Sequence, residues 1–420
     1  MDLTALPLRA AAARPHVLLV STPGGTATRL AAERQLRLQD LPRARTPAEA
    51  DILLVAGPEC RGLRPAIDRL WQSLPAPRSR ACADTPGALP EVLARCRAEL
   101  AASPGRQHAG HRHENPVGGG PDAEFGDGRD EHDGDDEDSG GGHGGHGGHG
   151  GHGDSESPWG LPMAGQGEDR DGLLLDQLHV PLGPFLADWP DALTARLTLQ
   201  GDVVQRLEVE WPPVGGGVGP PFWGEPWARA IAGERVDAGE GARRRAAAHA
   251  DSLGRLLAVA GWTGAATTAR RLRDDLLDGA SSAELRPGVR RFARRVGRSR
   301  TLHWLTRGAG VLTAGAAQDA GMTGPAARAD GDVPARYRTW LAALVRDVDR
   351  LADRSPLDPA EEGPRGGGAP DGPWPSAALV RVLPGLLEGA ELAAARLVVA
   401  SLDPDPDELA AVSGEVGAGD

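Results

Sequence analysis

Lysine is missing from the whole chain, so all 46 basic residues of this 420-residue protein are arginine. Together with the heavy use of Ala, Gly, Pro and Arg, that marks a GC-rich genome more than a special chemistry. Cysteine is nearly missing too. Cys60, Cys82 and Cys96 are an odd, sparse set, which argues against a disulfide framework and fits a reducing compartment. Aromatic residues make up only 4%, and ten of them are Trp. No stretch comes near the roughly 20 apolar residues that a membrane span needs. Met1 to Arg14 carries arginines but no unbroken apolar core of signal-peptide type. The expected location is therefore the cytoplasm, with any attachment to the inner face of the cell membrane made through partners.

Charge is plentiful but uneven. Between Ser103 and Pro158 stand thirteen acids and three arginines, so this segment holds most of the net charge of −13. The acidity belongs to one tail-like segment and says nothing of a substrate. The same segment has no periodic apolar pattern. An acidic block from Asp122 to Asp138 runs into Gly-Gly-His repeats bearing His143, His146, His149 and His152. Such a composition cannot bury enough apolar surface to offset chain entropy, and it reads as a disordered linker. The expected organisation is therefore an α/β domain at 1–102, a linker at 103–158 and a second domain at 159–420.

In the first domain, His16 to Ser21 and Ala50 to Gly57 are continuous apolar runs, each followed by a helical pattern at Ala27 to Leu38 and Leu63 to Leu74. Strands without alternation, interleaved with helices, predict a short parallel sheet. Leu89 to Leu100 adds a helix. In the second domain, Leu193 to Leu199 and Val203 to Val209 alternate around Gly201-Asp202, a hairpin signature. Helices are expected at Arg243 to Gly261, Thr263 to Leu277, Gly288 to Arg307 and Arg336 to Arg354, and at Leu383 to Ser401. A short strand is expected at Ala377 to Val382. The second domain is thus an α-rich α+β fold.

Several stretches of the second domain, in order, resemble the D subunit of NADH-quinone oxidoreductase (complex I) and the related large subunit of nickel-iron hydrogenases. Leu182-Gly183-Pro184 followed by the hairpin through Gly201 is similar to that family's opening. Thr306 to Leu312, with Gly308 and Gly310, resembles "RTRGVGVL". Ala317 to Pro325, with Gly321, Gly324 and Pro325, resembles "A…GLTGP", and Arg328 to Gly331 resembles "RASG". Asp332 and Arg336 fall in a "GDVYDR"-like stretch. Leu383 to Leu387 and Val398 to Pro404 are similar to "LPELLRG…GSLDP". In the first domain, Ala50 to Gly57, Leu63 to Ile67 and Leu74 to Arg78 resemble the B subunit, which is of the hydrogenase small-subunit type.

The resemblance implies cofactors whose ligands are missing. The B subunit holds a cubane iron–sulfur cluster through four Cys. Cys82 stands near one of those positions, but the paired Cys expected after the first strand gives way to Ser21-Thr-Pro-Gly-Gly25. Three thiols cannot supply four thiolates. The hydrogenase ending "DPC..C" is here Asp403-Pro-Asp-Pro-Asp407, and the stretch between Trp211 and Arg243 holds neither a Cys pair nor His. Hydrogenase chemistry is excluded on ligand grounds.

Other signals are local. The four repeat histidines could chelate Ni²⁺ or Zn²⁺ without much selectivity. Thr22 to Thr26 follows a strand and reads as a βα turn, without the Lys and spacing of a phosphate loop. Arg286 to Arg307 holds eight arginines and no acid, with Phe292 and Trp304 interleaved. Their short spacing reads as running round a helix, and Arg290, Arg291, Arg294 and Arg295 are the expected docking residues for a protein partner. No nucleic-acid site is expected. His249 and His303 read as structural.

The expectation is an accessory or structural subunit of a complex I-like or hydrogenase-like assembly. Its partners would be B-like and D-like subunits or proton-translocating membrane subunits, and it would hold no intrinsic redox cofactor. The alternatives are a His-rich nickel- or zinc-handling protein, or a quinone-module subunit active only with partner chains.

Overall fold

A computed structural model describes residues 14–102, 165–168, 172–211, 219–367 and 374–416. The linker and its four repeat histidines lie outside the described residues.

The amino-terminal half is a three-stranded parallel sheet in the order β1 (Val17–Ser21), β2 (Ile52–Ala56), β3 (Ser79–Ala83), with helices α1 (Thr26–Leu38), α2 (Arg64–Ser73) and α3 (Leu89–Ala102). Val17 pairs with Ile52, and Ile52 with Ser79. β2 is central and every one of its residues is buried, which is why it reads as an unbroken apolar run. Ile52 and Leu54 face α1 and α3, against Leu36, Leu93 and Cys96. Leu53 and Val55 face the other way, against Leu63, Ile67 and Cys60. Ala192 and Phe185 of the second half join that second core.

The carboxy-terminal half opens with an antiparallel sheet of β4 (Gly165–Glu168), β5 (Leu174–Leu182), β6 (Thr194–Gln200) and β7 (Val203–Glu210), paired in sequence order. The hairpin turns at Gly201, as its alternation predicts. β4 and β5 escape that pattern because β5 is exposed along most of its length, so no face imposes a period. Gly183 ends β5; a side chain there would strike the Leu193 carbonyl, and its φ is +98°.

Helices follow as α4 (Glu225–Ile231), α5 (Ala238–Val259), α6 (Thr263–Leu277), α7 (Ser282–Gly297), α8 (Arg300–Thr306), α9 (Ala314–Asp319), α10 (Gly324–Arg328), α11 (Val333–Asp349), α12 (Pro375–Arg381), α13 (Leu383–Leu387), α14 (Leu392–Leu402) and α15 (Pro406–Val416). α5 is the axis. It is buried continuously from Arg245 to Ala258, because runs of Ala and a Gly at 254 let its neighbours approach closely.

Three expectations are corrected. The stretch from Ala377 to Arg381 is helical and Val382 is its cap, with Pro375 at the first turn, where a missing N–H costs nothing. The helix expected over Gly288 to Arg307 is two helices, because Ser299 caps α8 by accepting from the Leu302 N–H. The helix expected over Leu383 to Ser401 is also two, interrupted around Gly389 at φ +85°.

The described residues of both halves belong to one compact unit.

Candidate functional site

The residues with most chemical potential lie in a buried polar seam where α1 meets α5 and α6. Arg29 on α1 donates to Glu33 at 3.1 Å and to Asp251 on α5 at 2.8 Å. Arg273 on α6, with no exposed surface, donates to Glu33 at 2.7 Å and to Asp251 at 2.6 Å. Arg43 reaches Glu33 at 3.1 Å, and Arg37 pairs with Asp274. Burial by itself pushes Glu33 and Asp251 upward. Arg43, Arg273 and Arg29 around Glu33, and Arg29, Arg255 and Arg273 around Asp251, outweigh it and hold both carboxylates well below their usual range. A guanidinium that offers several donors in one plane suits this bridging.

Arg255 carries the seam onward, 3.3 Å from both Asp251 and Asp403. Asp403 closes α14 in a left-handed conformation, φ 47°, and accepts from Ser252 at 2.7 Å and Arg365 at 2.6 Å. Beyond it the chain packs Asp405, Asp407 and Glu408 into the interior, each at most 3% exposed. The Ser376 hydroxyl donates to Glu408 at 2.5 Å and accepts from the Asp405 N–H at 2.8 Å. Burial first, and then the neighbouring Asp407, push Asp405 well above the ordinary carboxylate range against the pull of Arg365; burial also pushes Glu408 up. Asp405 Oδ2 and Arg365 Nη1 are buried without a hydrogen-bond partner.

Asp407 returns to the first half. The backbone N–H of Gly24, in the loop after β1, donates to Asp407 Oδ1 at 2.7 Å. Ser21, at the end of β1, donates to Asp191 Oδ2 at 2.7 Å. Beside this junction a cavity of about 430 Å³ is lined by Gly24, Phe222, Glu225, Arg244 and Asp407, among others. Its flanking charges are paired, Arg244 with Glu225 at 3.2 Å and Arg229 with Glu240 at 2.6 Å.

The donor set does not fit the cofactors that the resemblance implies. Cys60 and Cys96 are buried in the two separate cores on opposite faces of the sheet, and Cys82 is exposed on β3. These thiols do not converge on one iron–sulfur cluster. In the "DPC..C" stretch the two thiol positions fall on Asp405 and Glu408, which are hard oxygen donors in place of soft sulfur. No group of three or more His, Cys, Asp or Glu among the described residues is arranged to hold a metal ion. The place where a first Cys pair would stand falls partly outside the described residues, between Trp211 and Gly219.

Some of the motif residues meet in a second knot. Arg336, with no exposed surface, donates to Ser401 Oγ at 2.8 Å, to the Gly310 carbonyl at 2.9 Å and to the Gly331 carbonyl at 3.0 Å. Burial lowers its pKa to about 10, with Asp332 opposing. Asp332 caps α11 by accepting from the Ala335 N–H at 3.1 Å, and also accepts from the Gly308 N–H at 2.8 Å. Gly310 has φ +54°, and a side chain there would meet Val398. Gly324 lies against the Arg365 backbone, Pro325 opens α10, Gly321 turns after α9, and Arg328 pairs with Glu362. Pro184 follows Gly183 in a cis peptide bond. Most of these residues set backbone turns, helix starts or local pairs.

The four expected docking arginines differ among themselves. Arg290 shares Asp349 with Arg286. Arg295 lies over the Trp262 ring at 5.3 Å. Arg291 and Arg294 make no ion pair among the described residues. Contrary to the expectation from spacing, α7 sorts its arginines to one side. His249 is buried, with Nε2 lacking a partner, and burial followed by Arg365 and Arg245 keeps it well below the usual histidine range.

The acid cluster at Asp403 to Glu408 was legible only as a charged run. What could have flagged it is its place in the "DPC..C"-like stretch.

No family model matches the chain, and no curated protein matches it. Among solved structures, one chain of the membrane-bound sulfane sulfur reductase (MBS), an archaeal respiratory membrane complex, is similar to part of it. The match is 17% identical, covers 56% of this chain and 98% of that one, and has a TM-score of 0.40. The chain is thus distantly similar to a component of a respiratory membrane complex, and so distant a likeness carries no functional weight.

Proposed function

We propose that this chain is an accessory or structural subunit of a complex I-like or hydrogenase-like NADH-quinone oxidoreductase assembly. In it a B-like half and a D-like half are fused and the redox-metal ligands have been replaced. The carrying observation is the Gly24 N–H donating to Asp407 at 2.7 Å. Gly24 stands in the loop where the resemblance implies cluster cysteines, and Asp407 lies between the two positions where it implies thiols for nickel and iron. These two places meet, yet between them they hold only backbone, hydroxyls and carboxylates. The buried ion pairs of the seam then serve as a fixed joint between halves, and the working partners are B-like and D-like subunits or proton-translocating membrane subunits.

Purification of the tagged chain from its own host in mild detergent, followed by identification of bound chains, tests this. Recovery with oxidoreductase or proton-translocating subunits is the expected result. Recovery alone, or a stoichiometric iron–sulfur EPR signal from the anaerobically purified chain itself, overturns it.

A second reading rests on the Gly-Gly-His repeats at His143, His146, His149 and His152, outside the described residues. Their composition suits loose binding of Ni²⁺ or Zn²⁺. Deletion of 103–158 without change in cellular nickel or zinc use removes it.

A further inference from the structure

From Leu285 to Gln318 the chain has no acidic residue. In a protein of net charge −13 this is a concentrated patch of opposite sign. The structure organises it. α7 starts at a capping box, with Ser281 and Glu284 exchanging hydrogen bonds, and buries Leu285, Val289, Phe292 and Val296 along one face. Arg291, Arg294 and Arg295, with Arg298 at the helix end, recur at three- and four-residue steps. They occupy an arc of about 100° on the solvent side. Arg286 and Arg290 sit at the flank and share the single carboxylate of Asp349. Arg291, Arg294, Arg298, Arg300 and Arg307 are exposed and make no ion pair among the described residues.

The same segment exposes large apolar side chains. Trp304 on α8 is 65% exposed, Leu305 beside it 50%, and Val311 just beyond it 56%. α8 turns Leu302 and Thr306 inward, so its outward side offers Trp and Leu next to unpaired arginines. A merely solvated charged face has no use for an open indole. Guanidiniums beside a protruding Trp-Leu pair match a bilayer interface, where cations meet anionic headgroups and amphipathic aromatic rings settle at headgroup depth.

We propose that the outer face of α7 and α8, through Arg291, Arg294, Arg298 and Arg300 with Trp304 and Leu305, docks this protein directly on an anionic lipid bilayer. The chain lies on the surface and does not span it; no helix among the described residues is long and apolar enough to cross. This inference stands on the surface alone and holds or fails independently of the subunit reading.

Co-sedimentation of the full chain with vesicles tests it, with phosphatidylcholine alone compared against phosphatidylcholine mixed with phosphatidylglycerol. Binding to the anionic vesicles only, weakened by added salt, is expected. The triple variant Arg291→Gln, Arg298→Gln, Arg300→Gln should bind about a hundredfold more weakly, at roughly fivefold per arginine. Glutamine keeps helix propensity, and an unchanged melting curve shows that the variant folds. Trp304→Ala, which alters no charge, should bind several-fold more weakly and lose the vesicle-induced blue shift of Trp emission. Equal binding to both vesicle types, no binding to either, or anionic binding unchanged in the folded triple variant or in Trp304→Ala overturns the proposal. Absence of vesicle binding, with a partner subunit held by the same arginines, would assign the face to protein docking instead.

Discussion

Arg273 and Glu33 lie 240 residues apart in sequence and 2.7 Å apart in the interior. Neither is appreciably exposed to solvent, and Asp251 completes the bridge at 2.6 Å. Charges removed from water at this depth hold only as a matched set. The seam is therefore an all-or-none joint rather than a sum of independent ion pairs.

Arg273→Met tests that directly. It leaves Glu33 and Asp251 buried with less compensation and should cost roughly 3–5 kcal/mol, read by urea unfolding. Arg34→Ala, which breaks an exposed pair 2.5 Å from Asp278, should cost less than about 1 kcal/mol. Similar losses for the two variants would show that the seam is no joint.

The acidic groups give the protein a two-sided pH dependence. Glu33 and Asp251 have depressed folded values. Their contribution is complete above the ordinary carboxylate range of about 4 and is withdrawn as pH falls through those folded values. Asp405 has the opposite sign: its folded value is raised, so its contribution is complete below 3.8, its unfolded value, and is lost as pH rises through the folded one. Asp405→Asn should weaken that upper limb, to which Glu408, also raised by burial, contributes as well. Thermal melting between pH 4 and 8 should show the variant gaining on the native chain steadily as pH rises. Parallel curves over that range would mean that Asp405 ionises freely where it sits.

Gly310→Ala places a methyl group against Val398 at a left-handed backbone position. A cost of roughly 1–2 kcal/mol is expected, seen as a lower melting temperature. An unchanged melting temperature would mean that the loop carrying Gly310 is free to shift away from α14.

Thiol titration separates the cysteines. One of the three should react in the native protein, because Cys82 is exposed while Cys60 and Cys96 are buried, and all three should react in denaturant. Two or more fast thiols would contradict the two-core packing of the sheet.

The parallel sheet could be read from the sequence because β2 is covered on both faces, leaving Ile52 to Ala56 no reason to alternate. The hairpin could be read because Leu197 and Leu199 point inward while Arg196 points outward. β5 could not, since little packs on it. Ala377 to Val382 misled because Ala, Leu and Val fit a buried strand as well as a buried helix, and only Pro375 at the helix start separates the two. The seam could not be read at all. Arg29, Asp251 and Arg273 each look like ordinary helix-surface charges, and their meeting depends on how α1 lies against α5 and α6. The run from Asp403 to Glu408 looks like a solvated acidic turn, yet Arg255 and Arg365 draw Asp403 inside and the rest follow it.

The bond from Gly24 to Asp407 also sets an order of events during synthesis. The β1 loop is made first, and the carboxylate that fastens it is added only 383 residues later. The β1 loop therefore stays unclasped while those intervening residues are added.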